Sequence, residues 1–209
     1  MRIARFRAFA SYKSFVITDR FDYMEDVPSI TEDCCRRGYL VHRPNIVYHY
    51  IRNELWQFAL SIDLCETAPT EFGDAERVIH LPVVLSGQML LNGSGDWQES
   101  SFRKLPVGAG RYSLFSMGWN LGAENMSSEA EEADDDSIWS LPDIERYEWV
   151  ICPMVDEVPR VLRVKSFYTE QTINLVRTTK GTEGAKSGFE NSPGEGTGPT
   201  AGEHCGQFL

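Results

Sequence analysis

The sequence predicts a mostly β protein, an antiparallel β-sandwich or flattened barrel of about ten short strands with one short helix. Three observations predict this class. Apolar and polar residues alternate at a period of two, turn residues separate the alternating segments at short intervals, and a single segment carries helix-capping residues. A chain of 209 residues is long enough to bury one core of this kind.

The strand predictions follow the alternation along the chain. The clearest example is residues 55–64, and a second is residues 76–85, after which Ser86-Gly87 predicts a tight hairpin turn into residues 88–92. Shorter segments bounded by turn residues predict the remaining strands: Ile3–Ala10, Ser14–Thr18, Tyr39–Val41, Ile46–Arg52, Ser101–Leu105, Tyr112–Trp119, Tyr147–Met154 and Val161–Val164. The side chains predicted to face the core are Trp56, Phe58, Ile62, Ile79, Val83, Phe115 and Trp149.

One helix is predicted between two capping signals. Ser29 and Glu32 have the spacing of a capping box, and Gly38 is placed as a glycine that ends a helix. These signals predict a helix of two turns over Ile30–Arg37.

Charge separates the predicted domain from its attachments. The formal charge is −11, and residues 123–137 contain seven acids and no base. Residues 166–209 are rich in Gly, Pro, Ser, Thr and Glu, a composition typical of disorder. We therefore predict one β-rich domain over residues 1–165, an acidic loop insertion at 123–137 and a disordered tail over 166–209.

Composition also excludes several classes of function. Thirty-one acids against twenty bases disfavour direct binding to nucleic acid, because phosphates require a concentrated positive field. No apolar stretch is long enough for a transmembrane segment, and arginines interrupt the first seven residues, where a signal peptide would be apolar. The five cysteines show no CxxC spacing. A cytoplasmic protein with reduced thiols is expected.

No motif for catalysis or metal binding is found. The sequence lacks a G-x-S-x-G nucleophile elbow, a dinucleotide-binding glycine pattern and a P-loop. His49 and His80 leave one alternative open, a two-histidine metal site across neighbouring strands, against the simpler interpretation of ordinary sheet histidines. We predict no enzyme, with no catalytic residue, no metal and no cofactor.

Carboxylates cluster in two predicted loop regions. Residues 54–99 hold eight acids against Arg77 as the one base, and residues 19–33 hold six acids against Arg20. Such acids can simply keep loops solvated, or they can imitate the phosphates of DNA and occupy the basic cleft of a nuclease. The partner-binding candidates are Asp22, Glu25, Asp26, Glu66, Glu71 and Asp74, with Trp97 as an aromatic anchor. The other interpretation of Trp97 is an indole that covers one end of the core.

Several segments together resemble a known family. They are Ser11–Asp19, the helix end Arg37-Gly38-Tyr39, Asn45–Tyr48 with Arg52-Asn53, Val78–Val83 and Leu105–Leu114. Their order and spacing, over roughly residues 10–120, resemble the DNA-entry nuclease inhibitor family, also called competence protein J. The resemblance implies an acidic, non-catalytic protein that binds a DNA-degrading nuclease and blocks it. The acidic insertion, the tail and the strand at 161–164 depart from the family pattern.

Two alternatives remain open. A small-molecule or carbohydrate-binding β-sandwich would use Trp97, Trp119 and Trp139 as an aromatic platform. An adaptor protein would recruit its partners through residues 123–137 and 178–209. Binding to a basic nuclease should weaken as salt rises, whereas stacking on a sugar ring should respond little.

Overall fold

The computed structural model describes residues 1–10, 14–21, 31–51, 57–93, 98–124, 132–142 and 144–164. These ranges contain one α-helix, α1, over Glu32–Arg37. Their eleven strands are β1 (Arg2–Phe9), β2 (Ser14–Thr18), β3 (Tyr39–Arg43), β4 (Ile46–Tyr50), β5 (Gln57–Leu64), β6 (Arg77–Leu85), β7 (Leu90–Asn92), β8 (Arg103–Lys104), β9 (Gly110–Glu124), β10 (Ile144–Pro153) and β11 (Arg160–Val164).

The strands form two sheets that face each other as a sandwich. Sheet A has the order β1-β5-β10-β9-β6-β11, and sheet B has the order β3-β4-β2-β7-β8. Neighbouring strands run antiparallel except for β5 and β10, which are parallel. The predicted class is confirmed as a sandwich, and within the described ranges neither sheet closes into a barrel.

The core lies between the inner faces of the two sheets. Trp149 and Phe58 of sheet A and Phe15 of sheet B meet there edge to face, with ring centroids 5.6 to 5.8 Å apart. These side chains come from every second position of their strands, as the alternation in the sequence predicts. The outer face of each sheet carries a second, smaller set of buried side chains, which connecting segments cover.

The predicted hairpin at Ser86-Gly87 is wrong, because β6 belongs to sheet A and β7 to sheet B. The Asp19 carboxylate accepts hydrogen bonds from the Ser86 amide and hydroxyl and from the Gly87 amide (3.2 Å), and it also accepts from Asn45. The turn is therefore held at the end of β2, and the chain passes from one sheet to the other.

The helix is shorter at its start than predicted. Thr31 is its N-cap, since its hydroxyl accepts a hydrogen bond from the Cys34 amide at 3.2 Å, while Ser29 and Ile30 lie outside the described residues. The predicted glycine end is confirmed: Gly38 has φ 82°, and its amide donates to the Cys34 carbonyl.

One predicted core residue lies on the other side of its sheet. Phe115 is buried, but it stacks against Phe72 on the outer face of sheet A, because Leu114 and Ser116 occupy the inward positions of β9. Trp56 and the tail at 166–209 lie outside the described residues. Within the described ranges, no helix has the length and apolar character that crossing a membrane requires.

Candidate partner-binding surface

Residues 65–76, here called the acidic crossover, connect β5 to β6 across the outer face of sheet A. The two strands are parallel to each other and have β10 and β9 between them, so the connection must pass over the face. It is held there by apolar contacts. Phe72 stacks on Phe115 with centroids 6.4 Å apart, and Ala75 is buried against Val78 and Met117.

Three of the predicted partner-binding carboxylates lie on this crossover, and all three side chains are exposed: Glu66, Glu71 and Asp74. Asp74 is oriented by the Trp119 indole, whose Nε1 donates to Asp74 Oδ1 at 2.8 Å. Glu66 and Glu71 make no hydrogen bond or ion pair with any other described residue. The apolar side chains thus face the sheet, and the carboxylates face solvent.

Nearby cations do not neutralise Glu66 and Glu71. Arg163 donates from Nη1 to the Gly73 carbonyl at 2.7 Å, and its guanidinium lies 6.0 Å from the Phe72 ring centroid. Arg2 forms its ion pair with Asp63, which precedes the crossover, at 3.1 Å. Glu76, at the end of the crossover, accepts the backbone amides of Asn120 and Leu121 and therefore has a structural role.

A second acidic segment covers another part of the same face. Residues 132–141, here called the acidic cap, bury Ala133 and Ile138 against Ala59 of β5 and Ile144 of β10. Residues 132–137 of the predicted acidic insertion are thus packed on the sheet, whereas residues 123–124 belong to strand β9.

Arg7 of β1 makes two hydrogen bonds with the acidic cap, and further hydrogen bonds form within the cap. The Asp135 carboxylate accepts a hydrogen bond from the Arg7 backbone amide at 2.9 Å. The Arg7 guanidinium donates a hydrogen bond to the Ala133 carbonyl at 2.7 Å. Asp134 accepts hydrogen bonds from the Ser137 amide and hydroxyl, which hold the pKa of Asp134 below its usual value. Glu132 and Asp136 are exposed and pair with no other described side chain.

The other predicted candidates, Asp22, Glu25, Asp26 and Trp97, lie outside the described residues. The described segments on either side of the first three are β2 of sheet B and α1. Asp19 follows the last residue of β2, and α1 packs Cys34 against Val16 and Tyr48 on the outer face of sheet B. Burial alone would raise the pKa of Asp19, but hydrogen bonds from Asn45, Ser86 and Gly87 outweigh it and lower the pKa. Asp19 therefore serves as a structural carboxylate.

The two histidines cannot share a metal ion, because His49 lies on the inner face of sheet B and His80 lies on the outer face of sheet A. His49 points into the core with its Nε2 2.8 Å from Ser116 Oγ, whereas His80 packs against Phe115 on the outer face of sheet A. Within the described ranges, no group of three or more His, Cys, Asp or Glu residues could hold a metal.

His80 and Ser113 are within hydrogen-bond distance of each other, as in a catalytic dyad, but Ser113 is not accessible to solvent. His80 Nε2 lies 2.8 Å from Ser113 Oγ, and Nδ1 lies 3.1 Å from the Val158 carbonyl. The Ser113 side chain is fully buried, and its oxygen also accepts the Val155 amide at 3.0 Å. Burial lowers the pKa of His80. A substrate therefore cannot reach the Ser113 hydroxyl, as it must reach a nucleophile. The pair instead holds the β10–β11 connection in place, because Ser113 binds Val155 and His80 binds Val158.

Sequence reasoning missed a buried polar group at one end of the core. Arg77 Nη2 donates to the Tyr50 carbonyl at 2.8 Å and to the Tyr147 hydroxyl at 3.1 Å, and Tyr147 donates to Glu145. Arg77 and Glu145 are both almost fully buried. A signal was present, because Arg77 shares the inward periodicity of Ile79 in β6.

The aromatic residues of the carbohydrate alternative do not form one platform in the described ranges. Trp119 packs with the acidic crossover, whereas Trp139 packs with the acidic cap, its ring under the Arg5 guanidinium at 4.7 Å.

No protein-family model matches this chain, and no curated protein matches it. Two solved structures are similar to it. One is ComJ from Bacillus subtilis, an inhibitor of the DNA degrading activity of NucA, at 11% identity and a TM-score of 0.49, covering 74% of this chain and 98% of that one. The other is the protein of crocagin biosynthetic gene J, at 20% identity and a TM-score of 0.48, covering 72% of this chain and 96% of that one. Neither similarity assigns a partner or an activity to this chain.

Proposed function

We propose that this chain is a non-catalytic inhibitor that binds a DNA-degrading nuclease and occludes its basic, metal-containing cleft with acidic side chains. The observation that carries the proposal is the set of exposed carboxylates held over the outer face of sheet A. They are Glu66, Glu71 and Asp74 on the acidic crossover and Glu132 and Asp136 on the acidic cap. Asp22, Glu25, Asp26 and Trp97 remain predicted members of the contact surface.

Packing is what makes these carboxylates suited to recognition. Phe72 and Ala75 anchor the crossover, and Ala133 and Ile138 anchor the cap, so the acids are displayed from segments that are already ordered. Ordered segments lose less conformational entropy on binding than free loops do. Glu66 and Glu71, which pair with no described cation, also present their full charge to an approaching basic surface.

The expected mechanism is competition with DNA. Nuclease lysines and arginines that bind phosphates would instead meet Glu66 and Glu71, and a carboxylate oxygen is also a suitable ligand for the Mg²⁺ or Ca²⁺ of the nuclease. The charges would mainly set the association rate. An anchor at the centre of the interface would add affinity, and Trp97 is the predicted one.

Charge reversal tests the proposal. Purified protein is added to a panel of metal-dependent nucleases in a plasmid-degradation assay at several salt concentrations. We expect inhibition of at least one nuclease, weakened at least tenfold by the double variant Glu66→Lys/Glu71→Lys and weakened for the wild type as salt rises.

The matched control is Asp33→Lys on α1, which packs on the outer face of sheet B, compared with the single variant Glu71→Lys, because both make the same change in net charge. It should retain inhibition. Equal loss in Asp33→Lys and Glu71→Lys would show that net charge alone matters and would contradict the proposed surface. Absence of inhibition across the panel, together with salt-independent binding to a sugar array, would favour the carbohydrate alternative.

A further inference from the structure

Two cysteines lie side by side at the start of the acidic crossover. Leu64 of β5 pairs with Ile151 of β10, and the Cys65 amide donates to the Ile151 carbonyl at 2.8 Å. In a parallel ladder this hydrogen bond places Cys65 directly beside Cys152. Both cysteines are free thiols.

The two thiols also share a face of the sheet. Ile151 lies in the core, and Leu64 packs against it from the same side. Successive side chains of a strand point to opposite faces, so Cys65 and Cys152 both point to the outer face of sheet A. Adjacent strands lie about 4.8 Å apart, within the range of about 4.4 to 6.8 Å between the Cα atoms of a disulfide. The expected Cα separation is therefore compatible with a disulfide.

The two thiols differ in exposure, and this difference determines which of them an oxidant reaches first. Cys65 is partly exposed, whereas Cys152 is buried with its Sγ 3.8 Å from the Ser113 carbonyl. Burial, followed by the neighbouring Cys65 thiol, raises the pKa of Cys152. An oxidant dissolved in water therefore meets Cys65 first.

We propose that Cys65 and Cys152 form a reversible disulfide when the protein meets hydrogen peroxide. The Cys65 thiolate attacks one peroxide oxygen, the O–O bond breaks, and Cys65 becomes a sulfenic acid while the other oxygen leaves as water after taking up a proton. The Cys152 sulfur then attacks the Cys65 sulfur, an S–S bond forms, and the hydroxyl leaves as a second water. Two thiols lose two electrons and two protons in total, and one peroxide is reduced to two waters.

The disulfide would join the first residue of the acidic crossover to β10. This inference does not depend on the nuclease proposal, because it rests on strand register and thiol chemistry alone.

The test uses the full chain, fully reduced and then treated with hydrogen peroxide. Free thiols are blocked in denaturant, and the digested protein is analysed by mass spectrometry. We expect a linked peptide containing Cys65 and Cys152, about 2 Da lighter than the two reduced peptides together. Dithiothreitol should reverse it.

Two variants keep the proposal falsifiable. Cys152→Ser should leave Cys65 as a sulfenic acid that a dimedone probe captures, and Cys65→Ser, at the partly exposed position, should leave Cys152 unoxidised at the same peroxide dose. Cys205→Ser serves as the control and should form the linked peptide as the wild type does. The proposal is overturned if Cys65 proceeds to a sulfinic acid while Cys152 stays free, or if Cys65 pairs with another cysteine.

Discussion

Tyr147 is the side chain on which the buried polar groups of the core converge. Its hydroxyl accepts a hydrogen bond from Arg77 and donates one to Glu145, and its ring packs edge to face on His49 at 4.9 Å. Charged groups in an apolar interior are tolerated when they are paired and hydrogen-bonded. We therefore assign the Tyr147 hydroxyl a stabilising role between two buried polar side chains.

Removal of that hydroxyl should be costly. Tyr147→Phe keeps the ring but leaves Arg77 and Glu145 each short of one hydrogen bond, and we expect it to lower the free energy of unfolding by about 1–3 kcal/mol. Urea denaturation measures the change. The control is Tyr112→Phe, whose hydroxyl is near the surface and donates to the Gly108 carbonyl, and which should change stability by less than about 0.5 kcal/mol. Equal effects would contradict the assigned role.

His49 should make stability depend on pH. Burial, and then the nearby positive charge of Arg77, hold the pKa of His49 well below 6.5. The folded protein therefore binds fewer protons than the unfolded chain once the pH falls below about 6.5, so acid favours unfolding. Full stability is present above that pH, and it is lost as the pH falls towards the folded pKa.

The measurement is urea denaturation between pH 8 and about pH 5.5, where carboxylates of ordinary pKa stay largely ionised. We expect His49→Gln to reduce the slope of unfolding free energy against pH, below pH 6.5, by up to about 1.4 kcal/mol per pH unit. His80, whose pKa burial also lowers, stays in the variant and maintains a residual slope. An unchanged slope would mean that His49 is protonated in the folded state.

Among the elements, α1 depends on the glycine that ends it. Gly38 has φ 82°, and a Cβ built there would lie 2.6 Å from Arg77 Nη1 and 2.9 Å from Ile79 Cδ1. The end of the helix is thus in close contact with the start of β6, beside the buried polar group. Only glycine satisfies both the left-handed backbone and the lack of space.

Two glycine substitutions separate these two effects. Gly73 on the acidic crossover also has a positive φ, 53°, but a Cβ there would meet no atom within 4 Å. Gly73→Ala should therefore cost about 1–2 kcal/mol from the backbone alone. Gly38→Ala should cost clearly more, because Arg77 or Ile79 must also move. Thermal unfolding of both variants compares them, and equal losses would show that Arg77 accommodates the methyl group freely.

The sequence predicted elements better than it predicted their partners. Ser14–Thr18 was predicted with the bounds of β2, and the Gly38 helix end was predicted correctly, because alternation and capping are local properties. The prediction of a hairpin at Ser86-Gly87 is wrong. The turn is held by the carboxylate of Asp19, and a contact with a residue so distant in sequence cannot be predicted from local patterns. The sheet that each strand joins depends on such distant contacts.

The same limit applies to the candidate surface. The loop position of Glu66, Glu71 and Asp74 is consistent with their exposure. The packing of Phe72 beneath this loop was not predicted, because its partner Phe115 was predicted to face the core. The buried Ala133 and Ile138 in the acidic cap were also unpredicted, because seven acids in residues 123–137 dominate the composition.

At the scale of the whole molecule, the two sheets differ in what covers them. The acidic crossover and the acidic cap lie over the outer face of sheet A, whereas α1 packs on the outer face of sheet B. Asp33 on α1 is paired with Arg36 and Arg37, so its charge is compensated locally. We therefore expect a basic partner to dock on the outer face of sheet A.

Carboxylate labelling of the complex tests this expectation most directly. The protein is treated with a carbodiimide and glycine ethyl ester, alone and in complex with any nuclease that it inhibits in the plasmid-degradation assay, and labelled sites are quantified by mass spectrometry. We predict strong protection of Glu66 and Glu71 in the complex and unchanged labelling of Asp33, which lies on α1 over the other sheet. Unchanged labelling of Glu66 and Glu71 in a saturated complex would contradict the account.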